Sequence, residues 1–114
     1  MNFKKLTIKD NEYKIVLTTR TLCELEDKLG YNPIDILIKA SEGIIPKVSE
    51  MVYVLWASSI KYNHSVSLNA AYDIFDDYIA EGHSYTDFIE VMVDIFRASG
   101  LVPEENEAEE ENPN

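Results

Sequence analysis

A mainly α-helical domain opened by a β-hairpin, an α+β fold, is what this 114-residue sequence predicts. Three observations lead there. Two short runs of β-branched and aromatic residues lie near the start. Five later segments carry apolar residues at spacings of three and four. The four glycines, Gly30, Gly43, Gly82 and Gly100, each fall where one of those segments should stop. Apolar residues make up 46% of the chain, enough to fill a core.

The first two runs are Phe3, Leu6, Ile8 and Tyr13, Ile15, Leu17, with the turn-forming Lys9-Asp10-Asn11-Glu12 between them. They predict a hairpin over about residues 3–17 with one apolar face, although Val16 breaks the alternation. A lone hairpin is marginal in water, so it must lie on the helices or pair with another chain. Thr18 or Thr21 can cap the first helix, Thr21-Leu22-Cys23-Glu24 having the form of a capping box. Its stripe is Leu22, Leu25 and Leu29. Asn32-Pro33-Ile34-Asp35 starts a second helix, with Asn as cap, Pro in the first turn and Asp at the positive end of the dipole. Ile34, Leu37 and Ile38 form its stripe, with Ile36 and Ala40 beside it.

The third helix is expected from near Pro46 to about Tyr62. Val48, Met51, Val52, Leu55, Trp56, Ile60 and Tyr62 cover well over half its circumference. A narrow polar wedge is marked by Lys47, Glu50 and Lys61, and Val54 falls inside it. Such a helix is either central in the domain or partly covered by a partner. Ser67 caps the fourth helix, with Leu68, Ala71, Tyr72, Phe75, Tyr78 and Ile79 as its stripe. Ser84-Tyr85-Thr86-Asp87 opens the fifth, striped by Tyr85, Phe88, Ile89, Met92, Ile95 and Phe96. Leu101 is placed to fold back on Phe96 after Gly100 in a Schellman ending.

Charge divides the chain. The whole carries a formal −11, with nine Lys/Arg against eight acids in residues 1–61 and one Arg against seven acids in residues 62–103. Residues 104–114 hold six Glu, no base and no apolar side chain larger than Ala. That block predicts a disordered acidic tail after a single domain at 1–103, because it has too little to bury against its ordering entropy. The negative balance argues against non-specific binding to nucleic acid or to an anionic membrane. No run approaches the roughly 18 apolar residues of a membrane span, and the N-terminus lacks a signal-peptide core. Cys23 is the single cysteine, so no internal disulfide can form, which suits a reducing cytosol.

Catalytic and ligating patterns are sparse. His64 and His83 sit in loop-like Asn-His-Ser and Gly-His-Ser contexts with no Cys or carboxylate at a metal-ligand spacing. Cys23 has no nearby base to activate it. Asp73, Asp76, Asp77 and Glu81 line one face of the fourth helix, as Asp87, Glu90 and Asp94 do on the fifth. A solvated face explains both rows, and no EF-hand spacing is present. No phosphate-cradling glycine loop or nucleophile motif appears. The expectation is a non-enzyme without a cofactor or metal. What remains is an apolar excess outside the tidy stripes. Val54, Trp56, Tyr53 and Ile60 on the third helix, with Ile36 and Ile74, are the candidate partner-binding residues.

In order and spacing, several blocks resemble the tail assembly chaperones of long-tailed phages and prophages of Gram-positive bacteria. They are Leu17-Thr18-Thr19-Arg20, Leu25-Glu26-Asp27-Lys28-Leu29-Gly30 and Asn32-Pro33-Ile34-Asp35-Ile36-Leu37. Val54-Leu55-Trp56-Ala57, Tyr72-Asp73-Ile74-Phe75-Asp76-Asp77-Tyr78 with Gly82, and Phe96 with Ser99-Gly100-Leu101 complete the set. The resemblance runs from about residue 13 to 102. It implies a protein of the bacterial host cytoplasm, absent from the mature virion, that binds the tape measure protein and keeps it soluble. It also implies recruitment of tail tube subunits through a frameshift-extended form. A homo-oligomer built on the hairpin edge is a further expectation. Two alternatives stand beside it: an acidic decoy that mimics DNA towards a basic host protein, and a structural tail component.

Overall fold

The computed structural model describes residues 2–103. The expected acidic tail, 104–114, lies outside the described residues. Strands β1 (Lys4–Ile8) and β2 (Asn11–Ile15) form an antiparallel hairpin, followed by helices α1 (Thr19–Leu29), α2 (Ile34–Ser41), α3 (Val48–Ser59), α4 (Leu68–Ala80) and α5 (Phe88–Ala98). A single 3-10 turn, Tyr85–Asp87, precedes α5.

The hairpin is tighter than a four-residue turn would make it. Ile8 pairs with Asn11, leaving Lys9 and Asp10 as the two turn residues, both at positive φ (49° and 68°). That is a type I′ turn, whose twist matches the strands and which suits Gly, Asn or Asp such as Asp10 but strains Lys9. The fold holds it from below. Glu81 at the end of α4 accepts the Lys9 backbone N–H at 2.6 Å, and Asp77 lies 3.0 Å from the Lys9 ammonium. At the other end Lys4 pairs with Asp94 of α5 at 2.8 Å. The hairpin therefore lies on the helices of its own chain.

Past β2 the alternation lapses, and Ile15, Val16 and Leu17 are all buried. The reason is that the chain leaves the sheet and threads between helices. The Val16 N–H bonds the Ser58 carbonyl of α3 at 2.9 Å, and the Leu17 N–H bonds the Ser99 hydroxyl beyond α5 at 2.8 Å. With α3 on one side and α5 on the other, there is no solvent side to alternate towards.

Thr18 caps α1. Its hydroxyl accepts the Thr21 N–H at 3.2 Å, and the Thr21 hydroxyl accepts the Thr18 N–H at 2.8 Å. The reciprocal box thus opens three residues earlier than Thr21-Leu22-Cys23-Glu24, with Thr in the place usually held by Glu. Gly30, at φ 88°, returns its N–H to the Glu26 carbonyl and closes α1. The Asn32 side chain accepts the Ile34 N–H at 3.0 Å and so serves α2. Ser67 caps α4 through the Ala70 N–H. After α5, the Leu101 N–H reaches the Phe96 carbonyl at 2.9 Å and the Gly100 N–H reaches Arg97. This pair of bonds is the Schellman ending that the sequence predicts.

Helix α3 is the centre of the domain. Met51, Val52, Val54, Leu55, Ala57, Ser58 and Ser59 are all buried, packed among β2, α1, α4 and α5. Ser58 and Ser59 survive there because each hydroxyl donates to the Leu55 carbonyl one turn back. One cluster joins the helix to Leu6, Ile8, Ile15, Leu25, Phe75, Phe88 and Phe96.

Candidate protein-interaction surface

Centrality answers most of the apolar excess on α3, and it moves the polar wedge. Glu50 is buried and Val54 is fully sealed, whereas Lys47 and Lys61 at the two ends of the wedge remain exposed, so only the middle of that side faces inward. Ile36 is also sealed, under α2. Val54 and Ile36 are therefore core residues and leave the set of candidate contacts. The solvent side of α3 runs along Val48, Ser49, Tyr53, Trp56 and Ile60. Tyr53, Trp56 and Ile60 thus share one half-exposed strip, as 100° per residue brings positions 49, 53, 56 and 60 together. Lys28 lies 5.5 Å over the Tyr53 ring. Ile74, on α4, is half-buried against the core.

The bare aliphatic surface is elsewhere, at the corner between α2 and α3. Ile38, Ile44, Ile45 and Val48 are 49%, 53%, 64% and 46% exposed. Of these, Ile44 and Ile45 line a cleft of about 120 Å³ together with Ile36, Lys39, Lys47 and Glu50. Isolated exposed aliphatics are normal, but four on one corner form a patch of the kind that marks protein contacts. Only Ile38 and Val48 fall in helical periodicity. Ile44 and Ile45 sit in the connecting loop, where no stripe could reveal them.

The floor of this corner is fixed. The Tyr31 hydroxyl donates to one Glu50 carboxylate oxygen, and the other accepts the Lys47 N–H at 2.7 Å. Burial, the hydrogen bond to Glu50 and the charges of Glu50 and Asp35 push the Tyr31 phenol up to about 12. Tyr31 therefore stays protonated and a donor throughout the physiological range. The Lys39 ammonium stands 6.0 Å over its ring.

The acidic rows are partly used by the fold. Asp77, Glu81 and Asp94 hold the hairpin, and Asp87 accepts the Ser84 N–H at 2.9 Å to cap the turn before α5. Four of the seven carboxylates in the two rows thus have internal work. His64 is exposed in its loop. His83 stacks on Tyr78 at 4.3 Å, with Nδ1 3.8 Å from Asp87. Burial first, then Asp87 and Glu90, raise the Tyr78 phenol. Cys23 is exposed on α1. Among the described residues, no three His, Cys, Asp or Glu side chains gather where they could hold a metal, and no helix is long and apolar enough to cross a membrane.

The described residues form a small helical domain with a hairpin clasped onto its helices and exposed aliphatic side chains at the α2–α3 connection. The chain itself belongs to DUF6096, a family of unknown function whose model matches residues 2–112. No curated protein and no solved structure matches it.

Proposed function

We propose that this protein is a phage or prophage tail assembly chaperone that docks a helix of the tape measure protein on its α2–α3 corner. The ordered blocks from Leu17 to Leu101 support the family reading. The observation that carries the mechanism is the bare set Ile38, Ile44, Ile45 and Val48 on a rigid base. An amphipathic partner helix laid across that corner would bury its own apolar stripe against these side chains, in the helix-in-groove mode. Tyr53, Trp56 and Ile60 extend the contact along the solvent side of α3. The formal −11 of the chain keeps chaperone and client dispersed by self-repulsion. In this reading the protein works in the host cytoplasm, leaves before the virion is complete, and meets the tail tube protein through a longer form.

Co-expression with the tape measure protein encoded beside it tests the idea. The long helical client is expected to be soluble with the native chain and to aggregate with an Ile38→Asp/Ile45→Asp chain that keeps its helical circular dichroism. A client equally soluble with that variant, or with no chaperone at all, ends the proposal.

A further inference from the structure

At the end of the molecule away from the α2–α3 corner, the charge of the chain is locally reversed. Lys5 and Lys14 are directly opposite in the hairpin register and both exposed. Like charges placed so destabilise a strand pair. Lys61, just past α3, joins them around two rings. The Lys14 ammonium is 5.2 Å from the Phe3 ring centre and 6.0 Å from that of Tyr62, and the Lys61 ammonium is 5.5 Å from Tyr62. Phe3 and Tyr62 meet edge to face at 5.7 Å. Among the described residues no carboxylate pairs with Lys5, Lys14 or Lys61, whereas Lys4 and Lys9 each have one. Glu12, opposite Thr7, is the one acid on that outward face of the hairpin.

We infer that this lysine–aromatic surface is the docking site of the chain's own glutamate-rich segment, residues 104–111. Charge complementarity is the first argument, six glutamates against three lysines without a carboxylate partner. The second is where the segment leaves the fold. Ser99, four residues before Pro103, bonds the Leu17 N–H at 2.8 Å. Lys14 lies three residues earlier on that same extended stretch, about 10 Å away at strand rise. Eight residues span up to about 26 Å when extended, more than twice that separation. Tethering at that distance gives an effective concentration in the millimolar range, enough for a multivalent contact built of individually weak ion pairs. The aromatic rings offer the glutamate methylenes an apolar bed and hold the ammonium groups in place. The docked segment screens this lysine–aromatic surface from other polyanions and leaves the aliphatic corner open, so the inference stands apart from the proposed function.

The test compares the full native chain with one in which Glu104, Glu105, Glu107, Glu109, Glu110 and Glu111 are all changed to Gln. In low salt, amide resonances of residues 3–5, 12–14 and 61–63 should differ between the two. Raising salt to about 0.5 M, where screening acts within a few ångströms, should bring the native spectrum onto that of the variant. A synthetic peptide of residues 104–114 should restore the native shifts in the Gln chain. It should bind about two- to five-fold more weakly for each of Lys14→Gln and Lys61→Gln. Superimposable spectra in low salt overturn the inference. So does a shift difference that vanishes on dilution, which assigns the surface to a neighbouring copy's segment. Tighter binding of a ten-residue oligothymidylate than of the peptide also overturns it, because phosphate is then the preferred ligand.

Discussion

Ile36 and Ile38 are two residues apart on α2, and Val48 and Val54 are six apart on α3. In each pair one side chain is sealed in the core and the other is half in water. The chemistry is the same and the environments are opposite. Burial of Ile36 and Val54 contributes to folding at roughly 25 cal/mol per Å² of apolar surface removed from water. Ile38 and Val48 contribute little of that kind. An aliphatic side chain kept at a corner where it does nothing for the fold is available for a contact outside it. The difference also separates two uses of one helix: the inner side of α3 organises the domain, and its first turn presents surface.

The comparison can be broken most forcefully at Val54. Val54→Asp places a carboxylate in a sealed site without a partner, a cost of several kcal/mol against a total stability of about 5–15 kcal/mol. Urea titration followed by circular dichroism should show no cooperative transition. A folded Val54→Asp chain with native stability would mean that α3 is not the core.

A smaller effect is expected at the floor between the two regions. Tyr31→Phe removes the donor to Glu50 and leaves a nearly buried carboxylate oxygen short of a bond, costing about 1–3 kcal/mol. The pH dependence has a defined sign. The folded state holds the Tyr31 proton more tightly, with the phenol near 12 rather than the ordinary 10. Its stabilising share is therefore complete below pH 10 and lost as pH rises through 12. Native chain and Tyr31→Phe should converge in stability across that window. Parallel curves up to pH 12 would remove Glu50 from the account of Tyr31.

The smallest effect sharpens the comparison from the exposed side. Ile45→Asp should change the urea midpoint by no more than about 0.5 kcal/mol in equivalent stability, because the side chain has little to lose. A large loss would show that the corner supports the fold after all.

Much of this architecture was legible in the residues. The hairpin, the five helices and their glycine stops follow from periodicity and cap chemistry, and Gly100-Leu101 foretold its own hydrogen bonds. The placement of α3 was half legible. Its excess of apolar surface allows a central helix, and Lys47 and Lys61 of the polar wedge are exposed, but Glu50 and Val54 between them are buried. Lys47 and Glu50 look like a polar wedge, yet Glu50 is turned inward, where the half-buried Tyr31, distant in sequence, supplies a donor. Val54 goes inward with it. The aliphatic corner was illegible for a different reason: Ile44 and Ile45 lie in a loop, where no period connects them to Ile38 and Val48. The acids that clasp the hairpin were equally hidden, since a carboxylate row on a helix looks the same whether water or Lys9 faces it.

That clasp bears on how the protein is made. The hydrogen bonds from Lys9 to Glu81, Leu17 to Ser99 and Lys4 to Asp94 join residues 72, 82 and 90 positions apart. A nascent chain leaving the ribosome exposes its first two strands several seconds before the last helix, at about 5–20 residues per second. Until that helix emerges the opening segment lacks these partners, so cooperative folding waits for α5 to be synthesised.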